Sequence, residues 1–426
     1  MIDLRELKSR HDEIAANIKN RNMRVDLDAI IALGDKRSSV MQEADALRAR
    51  RNEVAKQMKG KLDPETRAKL IEEGKELKTR IAEIEKEASN LDAQYLAAAR
   101  TIPNYANPKA PIGKEDKDST AVKFVGKPPV FDFKPLDHVQ LGEKLDLIDF
   151  DTATEVSGPK FYYLKNQAVL LQMAIERYAI DIVLKHGFTP FITPDVAKEE
   201  ILNGIGFNPR GAESNIYTLE GTGTALVGTA EITLGGYYAG RVLDKKELPI
   251  KMTGLSHCFR REAGAAGQYS KGLYRVHQFS KLEMFIYCLP EESDKWHDYL
   301  LSIEEEIYQG LGLAYRVIDT CTGDLGAPAY RKFDIEAWMP GRGENGEYGE
   351  VTSTSNCTDY QARSLQIRYR DDEGKLQYVH MLNGTATALS RTMVAILENY
   401  QQKDGSIAIP EKLIPYCGFS VIPAKH

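Results

Sequence analysis

The most informative segment of the sequence is Phe259-Arg260-Arg261-Glu262, followed closely by Gly272-Leu273-Tyr274-Arg275-Val276-His277-Gln278-Phe279 and then by Glu283. It places charges of both signs between apolar runs that are typical of strands. Residues two apart on a strand point to the same face, so we expect Arg260 and Glu262 to share one surface. If Arg275 and Glu283 arrive on the return strand, the four side chains form a polar floor for a ligand that carries phosphate and amine groups. For a single Arg-x-Glu, an exposed hairpin with salt bridges is the alternative interpretation.

Upstream of this hairpin, residues 1–22 predict a short amphipathic helix and residues 26–100 predict a long helical arm. Apolar residues recur every seven positions in the arm, which is the pattern of a coiled coil; they are Val40, Leu47, Val54, Leu70, Leu77, Ile84, Leu91 and Ala98. Gly60 and Pro64 interrupt the pattern and predict a short turn. We therefore expect two antiparallel helices, the second of them about 54 Å long at 1.5 Å per residue.

The first helix of the arm is rich in basic residues, namely Lys36, Arg37, Arg48, Arg50, Arg51, Lys56, Lys59 and Lys61. Each one taken alone is typical of a solvated helix face. As a group on a projecting arm they are a candidate track for a nucleic-acid backbone, because lysine and arginine neutralise phosphates.

The remainder of the chain divides into a linker and a body. Residues 102–135 hold six prolines among charged residues, which predicts extended or turn conformation. The body, residues 136–426, alternates short strand-like and helical runs without a repeating β-α-β unit. The predicted strands include Gly272–Phe279, Lys281–Tyr287 and Tyr378–Leu382, and the predicted helices lie near Leu170–Lys185, Glu292–Leu311 and Ser390–Tyr400. The organisation is thus an N-terminal domain at 1–101, a linker and an α+β body.

Composition limits the classes of function that the chain can have. The net charge of −6 over 426 residues gives no global basic field, so nucleic acid must be bound through a local patch. Five scattered cysteines without C-x-x-C spacing support neither a zinc site nor a disulfide framework, and they fit a reducing, cytoplasmic interior. The N-terminus has the pattern of neither a signal nor a transit peptide, and we expect no membrane span.

Nucleotide-binding motifs of the loop type are not convincing in this sequence. There is no G-x-x-x-x-G-K-[ST], and the G-x-G-x-x-G match at residues 341–346 lies in a polar stretch with no helix after it. If ATP binds, it therefore binds to strands. The candidate groups near the hairpin are Thr229-Ala230-Glu231, Glu350-Val351-Thr352-Ser353, Asn383-Gly384-Thr385 and Arg391-Thr392. Each alone has an ordinary explanation: a helix cap for Thr229, a surface acid for Glu350 and a structural ion pair for Arg391.

Taken together, these groups closely resemble the seryl-tRNA synthetases, a family of class II aminoacyl-tRNA synthetases. The helical arm resembles the family's tRNA-binding domain. Three stretches resemble the class II motifs, namely Ile182–Pro194, the hairpin already quoted and Asn383–Glu398, while Val276–Phe279 and Asp359–Arg363 resemble the seryl branch. The resemblance implies an α+β class II body, with a mixed and mostly antiparallel sheet flanked by helices, that acts as a homodimer.

The resemblance also implies a reaction and roles for individual residues. The family makes seryl-adenylate from L-serine and ATP and transfers serine to the 3′ end of tRNA(Ser), with tRNA(Sec) left open as a second acceptor. Arg260 then bridges the serine carboxylate and the α-phosphate, and Arg391 holds the γ-phosphate end of ATP. ATP contacts are implied for Arg261, Glu262, Arg275, Val276, Phe279, Glu350, Val351, Thr352 and Ser353, and Mg²⁺ ligation for Glu350 and Ser353.

For serine, the resemblance implies that Glu231 and the backbone of Thr229 and Ala230 hold the ammonium group. Glu283, Asn383 and Thr385 then meet the side-chain hydroxyl, so that alanine leaves buried polar groups unsatisfied. The sequence departs from the family at Arg261, where a small or acidic residue is usual, and at Ser390, where many members have glycine.

Two other functions stay open at this point. One is an enzyme that makes aminoacyl-adenylates but loads a carrier protein; the basic arm argues against it. The other is a silent paralogue that only binds its ligands, against which the competent residue types in the ATP and serine positions argue.

Overall fold

The computed structural model describes residues 1–207, 215–263 and 269–425. The chain folds into two compact units, the first spanning Asp3–Pro103 and the second Asn104–His426. The border lies within two residues of the predicted end of the N-terminal domain. Within the described residues, no helix combines the length and the apolar character needed to cross a membrane.

The first unit is helical, as the heptad pattern predicts. It consists of α1 (His11–Asn20), α2 (Leu27–Gln57) and α3 (Pro64–Ala99). Asp26 and Asp63 cap the two long helices by accepting hydrogen bonds from Ala29 N–H and Thr66 N–H, each at 2.9 Å. The residues that recur every seven positions are buried between α2 and α3, including Val40, Val54, Leu70, Leu77, Ile84 and Leu91. The predicted two-helix arm is confirmed.

The basic residues of α2 fall into two groups. Three arginines form ion pairs with acids of α3: Arg37 with Asp92 at 2.5 Å, Arg48 with Glu85 at 2.7 Å and Arg50 with Glu73 at 2.6 Å. Lys36, Arg51 and Lys56 of α2 form no ion pair among the described residues, and neither do Lys59 and Lys61, which lie in the turn after α2. Three arginines of the predicted phosphate track, Arg37, Arg48 and Arg50, therefore also hold the two helices together.

The second unit is built from eighteen strands in the described part of the chain: β1 (Thr120–Val125), β2 (Ile148–Asp149), β3 (Tyr163–Leu164), β4 (Thr189–Ile192), β5 (Val196–Lys198), β6 (Thr218–Leu219), β7 (Thr224–Leu226), β8 (Val242–Leu243), β9 (Ile250–Phe259), β10 (Gln278–Cys288), β11 (Tyr315–Asp319), β12 (Arg331–Met339), β13 (Glu347–Asn356), β14 (Arg368–Arg370), β15 (Leu376–Tyr378), β16 (His380–Ala388), β17 (Ile407–Ala408) and β18 (Val421–Ile422). Its helices are α4 (His138–Lys144), α5 (Asp151–Ser157), α6 (Gln167–Lys185), α7 (Glu199–Ile205), α8 (Glu231–Gly236), α9 (Ser293–Gly310), α10 (Tyr360–Leu365), α11 (Leu389–Asn399) and α12 (Ile414–Cys417). The three predicted helices of the body correspond to α6, α9 and α11.

The main sheet has eight strands in the order β1-β11-β12-β13-β16-β10-β9-β4. All pairs are antiparallel except β4 with β9, so the predicted mixed and mostly antiparallel sheet is confirmed. Side chains alternate across it: Leu282, Met284 and Ile286 of β10 join the core beneath α6, α9 and α11. Phe285 and Tyr287 face the second core, formed with α7, α8 and α10.

Two sequence predictions need correction. The predicted linker 102–135 contains β1, an edge strand that pairs antiparallel with β11, because the run Thr-Ala-Val-Lys-Phe-Val has strand character that the flanking prolines conceal. The predicted strand Gly272–Phe279 is wrong for most of its length, since Gly272–Tyr274 form one 3₁₀ turn and β10 begins only at Gln278. The glycine-rich stretch 341–346 is a turn between β12 and β13, as expected.

Candidate active site

A cavity of about 450 Å³ opens in the second unit where β10, β13 and β16 meet the start of α11. It gathers most of the residues singled out in the sequence, although they come from separate segments of the chain. Those that line it are Thr229, Glu231, Arg260, Glu262, Arg275, Val276, Phe279, Glu283, Glu350, Val351, Thr352, Ser353, Asn383, Thr385 and Arg391.

One end of the cavity is formed by the start of α8. The Thr229 hydroxyl accepts a hydrogen bond from Glu231 N–H at 3.2 Å, but the N-cap position of this helix is Ala230 and not Thr229 as predicted, because the helix begins one residue later, at Glu231. Glu231 Oε1 accepts from Gln361 Nε2 at 2.8 Å and from Asn383 Nδ2 at 3.0 Å. The short helix can approach the sheet because Gly254 of β9 lies beneath it, where an added Cβ would fall 3.2 Å from the Ala230 side chain. The result is a buried carboxylate held by two amides.

Burial determines the protonation behaviour of this carboxylate. Loss of water together with the nearby negative Glu283 raises the pKa of Glu231 to about 7, and the Gln361 amide only partly offsets the effect. Glu231 is therefore poised to take up a cationic group, since a bound ammonium restores the charge compensation that burial removes.

Glu283 occupies the floor of the same end, and only 1% of its surface is exposed. Its Oε2 accepts from the hydroxyls of Thr229 at 3.4 Å and Thr385 at 3.3 Å. Leu282 pairs with Thr387 and Glu283 pairs with Thr385, so β16 carries one extra residue, Ala386. Such a bulge re-aims the neighbouring side chains. Because the bulge at Ala386 lies next to Thr385, it directs the Thr385 side chain towards Glu283.

Sequence reasoning missed Lys281, which also lines the cavity. It forms an ion pair with Glu283, and its ammonium group lies 3.3 Å from the Thr385 hydroxyl. The available signal was its position two residues before Glu283 on one strand, which places both side chains on one face.

Arg260 does not lie on a strand, contrary to the prediction. Strand β9 ends at Phe259, and the Arg260 backbone is held by His277, whose carbonyl accepts from Arg260 N–H at 2.9 Å. The guanidinium donates from Nε to Gly228 O at 3.1 Å and lies 5.3 Å from the centre of the Phe279 ring. Arg260 therefore reaches the cavity from a turn, and its remaining N–H groups, which have no partner among the described residues, are available to an anion.

Glu262 also follows β9, and its backbone has φ of 51°. That left-handed conformation breaks the strand alternation on which the shared-face prediction rested. Arg275 nevertheless meets it, with Nη1 at 2.5 Å from Glu262 Oε2. The polar floor predicted for the hairpin thus exists, but it is assembled by turns rather than by one face of two strands.

At the opposite end of the cavity, Arg391 of α11 packs against Tyr274. Its guanidinium lies 4.6 Å from the ring centre, and it donates to the Tyr274 carbonyl at 3.2 Å and to the Glu350 carboxylate at 3.1 Å. Burial raises the pKa of Glu350, but the positive charges of Arg391 and Lys332 outweigh burial and leave the pKa below its ordinary value. This end therefore presents a fixed cation beside an ionised carboxylate.

A second group that sequence reasoning missed lies behind Glu350. Lys332 lines the cavity between Asp324 at 3.5 Å and Asp334 at 3.3 Å. Burial raises the pKa of Asp334 to about 6, while Lys332 opposes that change. Since Ser353 pairs with Asp334 across the strands, the serine hydroxyl of the predicted metal pair lies next to this ion cluster.

Glu350 and Ser353 offer the chemistry that Mg²⁺ prefers, a carboxylate and a neutral oxygen. Among the described residues, no three of His, Cys, Asp and Glu form a cluster suited to hold a metal. A pair of protein oxygens is still consistent with Mg²⁺, because that ion keeps several waters and binds through one or two carboxylates plus substrate phosphates. The lowered pKa of Glu350 favours its ionised form, which is the form that binds a cation such as Mg²⁺.

Two predicted contacts do not lie in the cavity. Arg261 has an exposed side chain, and its backbone N–H donates to Asn215 O at 2.9 Å. The turn after β9 directs its side chain away from the ligand space, which leaves at most a backbone contact for Arg261. Ala230 is fully buried beneath α8, so it can contribute only through its backbone.

Family models match both units of the chain. Residues 1–106 match the seryl-tRNA synthetase N-terminal domain, and residues 219–400 match the tRNA synthetase class II core domain shared by the G, H, P, S and T enzymes. The serine–tRNA ligase of Treponema denticola is 61% identical over 99% of this chain and 100% of its own length. The chain belongs to the seryl-tRNA synthetase family.

Further relatives of this synthetase agree over the whole length. The serine–tRNA ligase of Borrelia recurrentis is 54% identical over 100% of both chains. The crystal structure of seryl-tRNA synthetase from Pyrococcus horikoshii complexed with ATP superposes with a TM-score of 0.86 at 37% identity, covering 100% of both chains. The cytoplasmic serine–tRNA ligase of Naegleria fowleri in complex with AMP gives 0.80 at 32% identity, over 97% of this chain and 95% of that one. The synthetase described here is accordingly a class II ligase.

Proposed function

We propose that this synthetase activates L-serine with ATP to form seryl-adenylate and transfers the serine to the 3′ end of tRNA(Ser). The observation that carries the proposal is the arrangement of one cavity. A buried carboxylate for an ammonium group, Glu231, lies at one end, the arginine–carboxylate pair Arg391–Glu350 lies at the other, and Arg260 enters between them. A dipolar amino acid and a polyphosphate can therefore meet at Arg260.

In this proposal the ammonium group of serine binds Glu231 and the backbone of the Thr229–Ala230 segment. The hydroxyl of serine meets Glu283 and Thr385, with Asn383 holding Glu231 in place at 3.0 Å. The buried positions of Glu283, Thr385 and Asn383, at 1%, 6% and 8% exposure, make an unsatisfied polar group costly. Alanine, which has no hydroxyl, is rejected for that reason.

ATP in this proposal extends from Phe279 and Glu262 towards Arg391. Phe279 offers a ring face to adenine, and the Glu262 carboxylate, positioned by Arg275 at 2.5 Å, accepts from the adenine amino group. Val276, Val351, Thr352 and Ser353 form the adjoining wall. Arg391 reaches the γ-phosphate end, where Tyr274 supports its guanidinium.

The chemical step joins two anions. A serine carboxylate oxygen forms a bond to the α-phosphorus, and the bond from that phosphorus to the bridging oxygen breaks to release pyrophosphate. No general base is needed, because the carboxylate is already ionised near neutral pH. Arg260 neutralises both reactants at the reacting centre, where a fixed cation costs little reorganisation. Glu350 and Ser353 would hold Mg²⁺, which would supply further neutralisation of the phosphates.

The tRNA is proposed to bind along the two-helix arm. Five basic residues without an ion-pair partner in α3 supply the phosphate contacts, three of them on α2 and two in the turn after it. Charging of tRNA(Sec) remains a second acceptor activity within this proposal. The proposal also places the enzyme in the cytoplasm; all five cysteines, which lie in the described part of the chain, are buried thiols, as suits a reducing compartment.

The enzyme is further proposed to be a homodimer that pairs through the region of α6 and β4. Three large apolar residues there are open to solvent: Leu170 at 47%, Met173 at 60% and Ile192 at 89% exposure. Leu170 and Met173 are three residues apart on α6 and so share one face of it, and exposed apolar patches mark protein interfaces.

Serine-dependent exchange of pyrophosphate into ATP, followed by charging of tRNA(Ser) and tRNA(Sec) transcripts, tests the proposed function. Exchange together with charging supports it. Exchange without charging indicates an enzyme that loads another acceptor. Failure of serine to promote exchange, in protein shown to be folded, contradicts the proposal.

A further inference from the structure

Lys281 is a buried lysine in the floor of the cavity, with only 7% of its surface exposed. Its ammonium group contacts both groups proposed to meet the serine hydroxyl: it forms an ion pair with Glu283 and donates to the Thr385 hydroxyl at 3.3 Å. Lysines are almost never buried unless they are paired. The burial of Lys281 is therefore explained by its pairing with Glu283 inside the pocket.

The chemistry of these three side chains determines the direction of every hydrogen bond among them. A lysine ammonium can only donate, and an ionised carboxylate can only accept. The Thr385 hydroxyl accepts from Lys281, so it must direct its own proton to Glu283 Oε2, which lies 3.3 Å away. The Thr229 hydroxyl donates to the same oxygen at 3.4 Å.

All of these described donors converge on Oε2 of Glu283. The lone pairs of Oε1 are therefore left for a ligand, and a ligand that uses them must donate a proton. Serine can do so through its hydroxyl, whereas alanine offers no donor. Without Lys281, the Thr385 hydroxyl loses its fixed direction, and the buried Glu283 loses the cation with which it is paired.

We propose that Lys281 is a positioning residue for amino-acid selection, which holds the Glu283 carboxylate in place through an ion pair and orients the Thr385 hydroxyl towards it. This inference rests on the proposed function of the same cavity and adds a residue to it. Lys281 needs no contact with serine, because it acts through the two side chains that make that contact. A purely structural counterion, by contrast, affects folding and leaves the choice between amino acids unchanged.

The effect of Lys281 on its neighbours is also visible at Glu231. The positive charge of Lys281 opposes the rise in the pKa of that second carboxylate, which burial and Glu283 produce. Lys281 thus lies between the two acids that face the amino acid, and it is the nearest cation to Glu283.

The test compares Lys281→Gln with Lys251→Gln in the full-length enzyme. Lys251 is a matched control, a partly buried lysine on neighbouring β9 that donates to His186 O at 2.5 Å and does not line the cavity. Pyrophosphate exchange is measured with serine, with alanine and at varied ATP, and thermal unfolding monitors the fold. For Lys281→Gln we expect the KM for serine to rise about 10- to 100-fold, the scale of a hydrogen bond to a charged group. The preference for serine over alanine falls with it, and the KM for ATP stays within about twofold of wild type.

Two outcomes overturn the inference: an unchanged serine-to-alanine ratio in Lys281→Gln, or equal changes in the KM for serine and for ATP. Loss of exchange in the wild-type enzyme instead contradicts the proposed function, so the two failures are distinguishable. If Lys281→Gln does not fold, because it leaves Glu283 buried and unpaired, the comparison moves to Glu283→Gln with and without Lys281→Gln. Equal serine-to-alanine ratios in these two variants support action through Glu283, and a further tenfold loss in the double variant contradicts it.

Discussion

The Nδ1 atom of His138 lies 2.7 Å from Glu398 Oε1, and both side chains are buried, at 0% and 1% exposure. The Nε2 atom of the same ring accepts a hydrogen bond from Leu273 N–H at 3.1 Å. A ring that accepts at Nε2 and donates at Nδ1 is a neutral imidazole. His138 therefore joins the end of α11 to the turn that carries Tyr274 and Arg275. Gly272 makes the approach possible, since its φ is +54° and an added Cβ would lie 2.3 Å from the ring.

The first prediction concerns this connection. Asparagine at position 138 can replace the Nδ1 donor but not the Nε2 acceptor, whereas glutamine can reach the Nε2 position. In His138→Asn, a buried Leu273 N–H loses its partner, which costs about 1–3 kcal/mol. We expect the KM for ATP to rise about tenfold, because Tyr274 no longer supports Arg391 in a fixed position. Pyrophosphate exchange at varied ATP checks this, and equal KM values in the Asn and Gln variants would contradict it.

The second prediction contrasts two adjacent arginines. Arg260→Ala is expected to abolish exchange with the fold intact, a loss of at least about 10²- to 10³-fold, as for other fixed groups at a reacting centre. Arg261→Ala should leave exchange within about twofold of wild type, because its side chain is exposed and only its backbone contacts Asn215. Exchange rates and melting temperatures of both variants decide the matter. Near-normal exchange in Arg260→Ala would contradict the proposed role of Arg260 at the reacting centre.

The helical arm can be predicted from the sequence because the spacing of apolar residues within each helix is enough to identify it. Leu70, Leu77 and Ile84 lie one above the other on a single helix, so their spacing alone determines which face is buried. The same holds for α6, α9 and α11. The strand β1 escaped prediction because its partner β11 is nearly 200 residues away, and the prolines around it dominate the local pattern.

The site was predicted by residue identity rather than by geometry. The family resemblance named Arg260, Glu262 and Arg275, but strand alternation placed them wrongly, since the turn after β9 depends on contacts with His277 and Asn215. Lys281 escaped notice for a related reason. A lysine in an apolar strand has the pattern of an edge or surface residue until Glu283 and Thr385 are seen beside it.

The third prediction concerns pH. The pKa of Glu231 is raised from 4.5 to about 7 in the folded protein, so its protonated form stabilises the native state. That stabilisation is fully present below about pH 4.5 and is lost as pH rises through about 7, a change of at most about 3 kcal/mol. We expect Glu231→Gln to abolish this slope in chemical unfolding of the ligand-free enzyme. If the wild type and Glu231→Gln show the same slope, the pH dependence of unfolding arises from other groups.

The same group predicts the pH dependence of serine binding. The ammonium of serine binds the ionised form of Glu231, so the KM for serine should fall as pH rises from about 5.5 to 7.5. In Glu231→Gln the KM should be high and nearly constant over that range. Exchange measured at fixed saturating ATP checks this, and a KM that rises with pH in the wild type would contradict the assignment.

The fourth prediction separates the paired from the unpaired basic residues on α2 and in the turn after it. Replacing Arg51, Lys56 and Lys59 together by glutamine should raise the KM for tRNA and lower the slope of log affinity against log salt by about 1 per lost phosphate contact. Arg48→Gln is the control, since Arg48 is already paired with Glu85 at 2.7 Å.

Deleting about residues 36–98 should spare exchange and remove charging. Charging retained by the deletion variant would overturn the role of the arm.

The last prediction concerns the apolar surface on α6 and β4. Met173→Lys combined with Ile192→Lys places two charges on side chains that are 60% and 89% exposed, and it should convert a dimer into monomers because charges are costly in an interface core. Val130→Lys is the control, since Val130 is 97% exposed and belongs to neither α6 nor β4. Sedimentation velocity gives the mass of each variant. If the Met173/Ile192 variant sediments as wild type does while both are dimers, the interface lies elsewhere, and a monomeric wild type would refute the dimer itself.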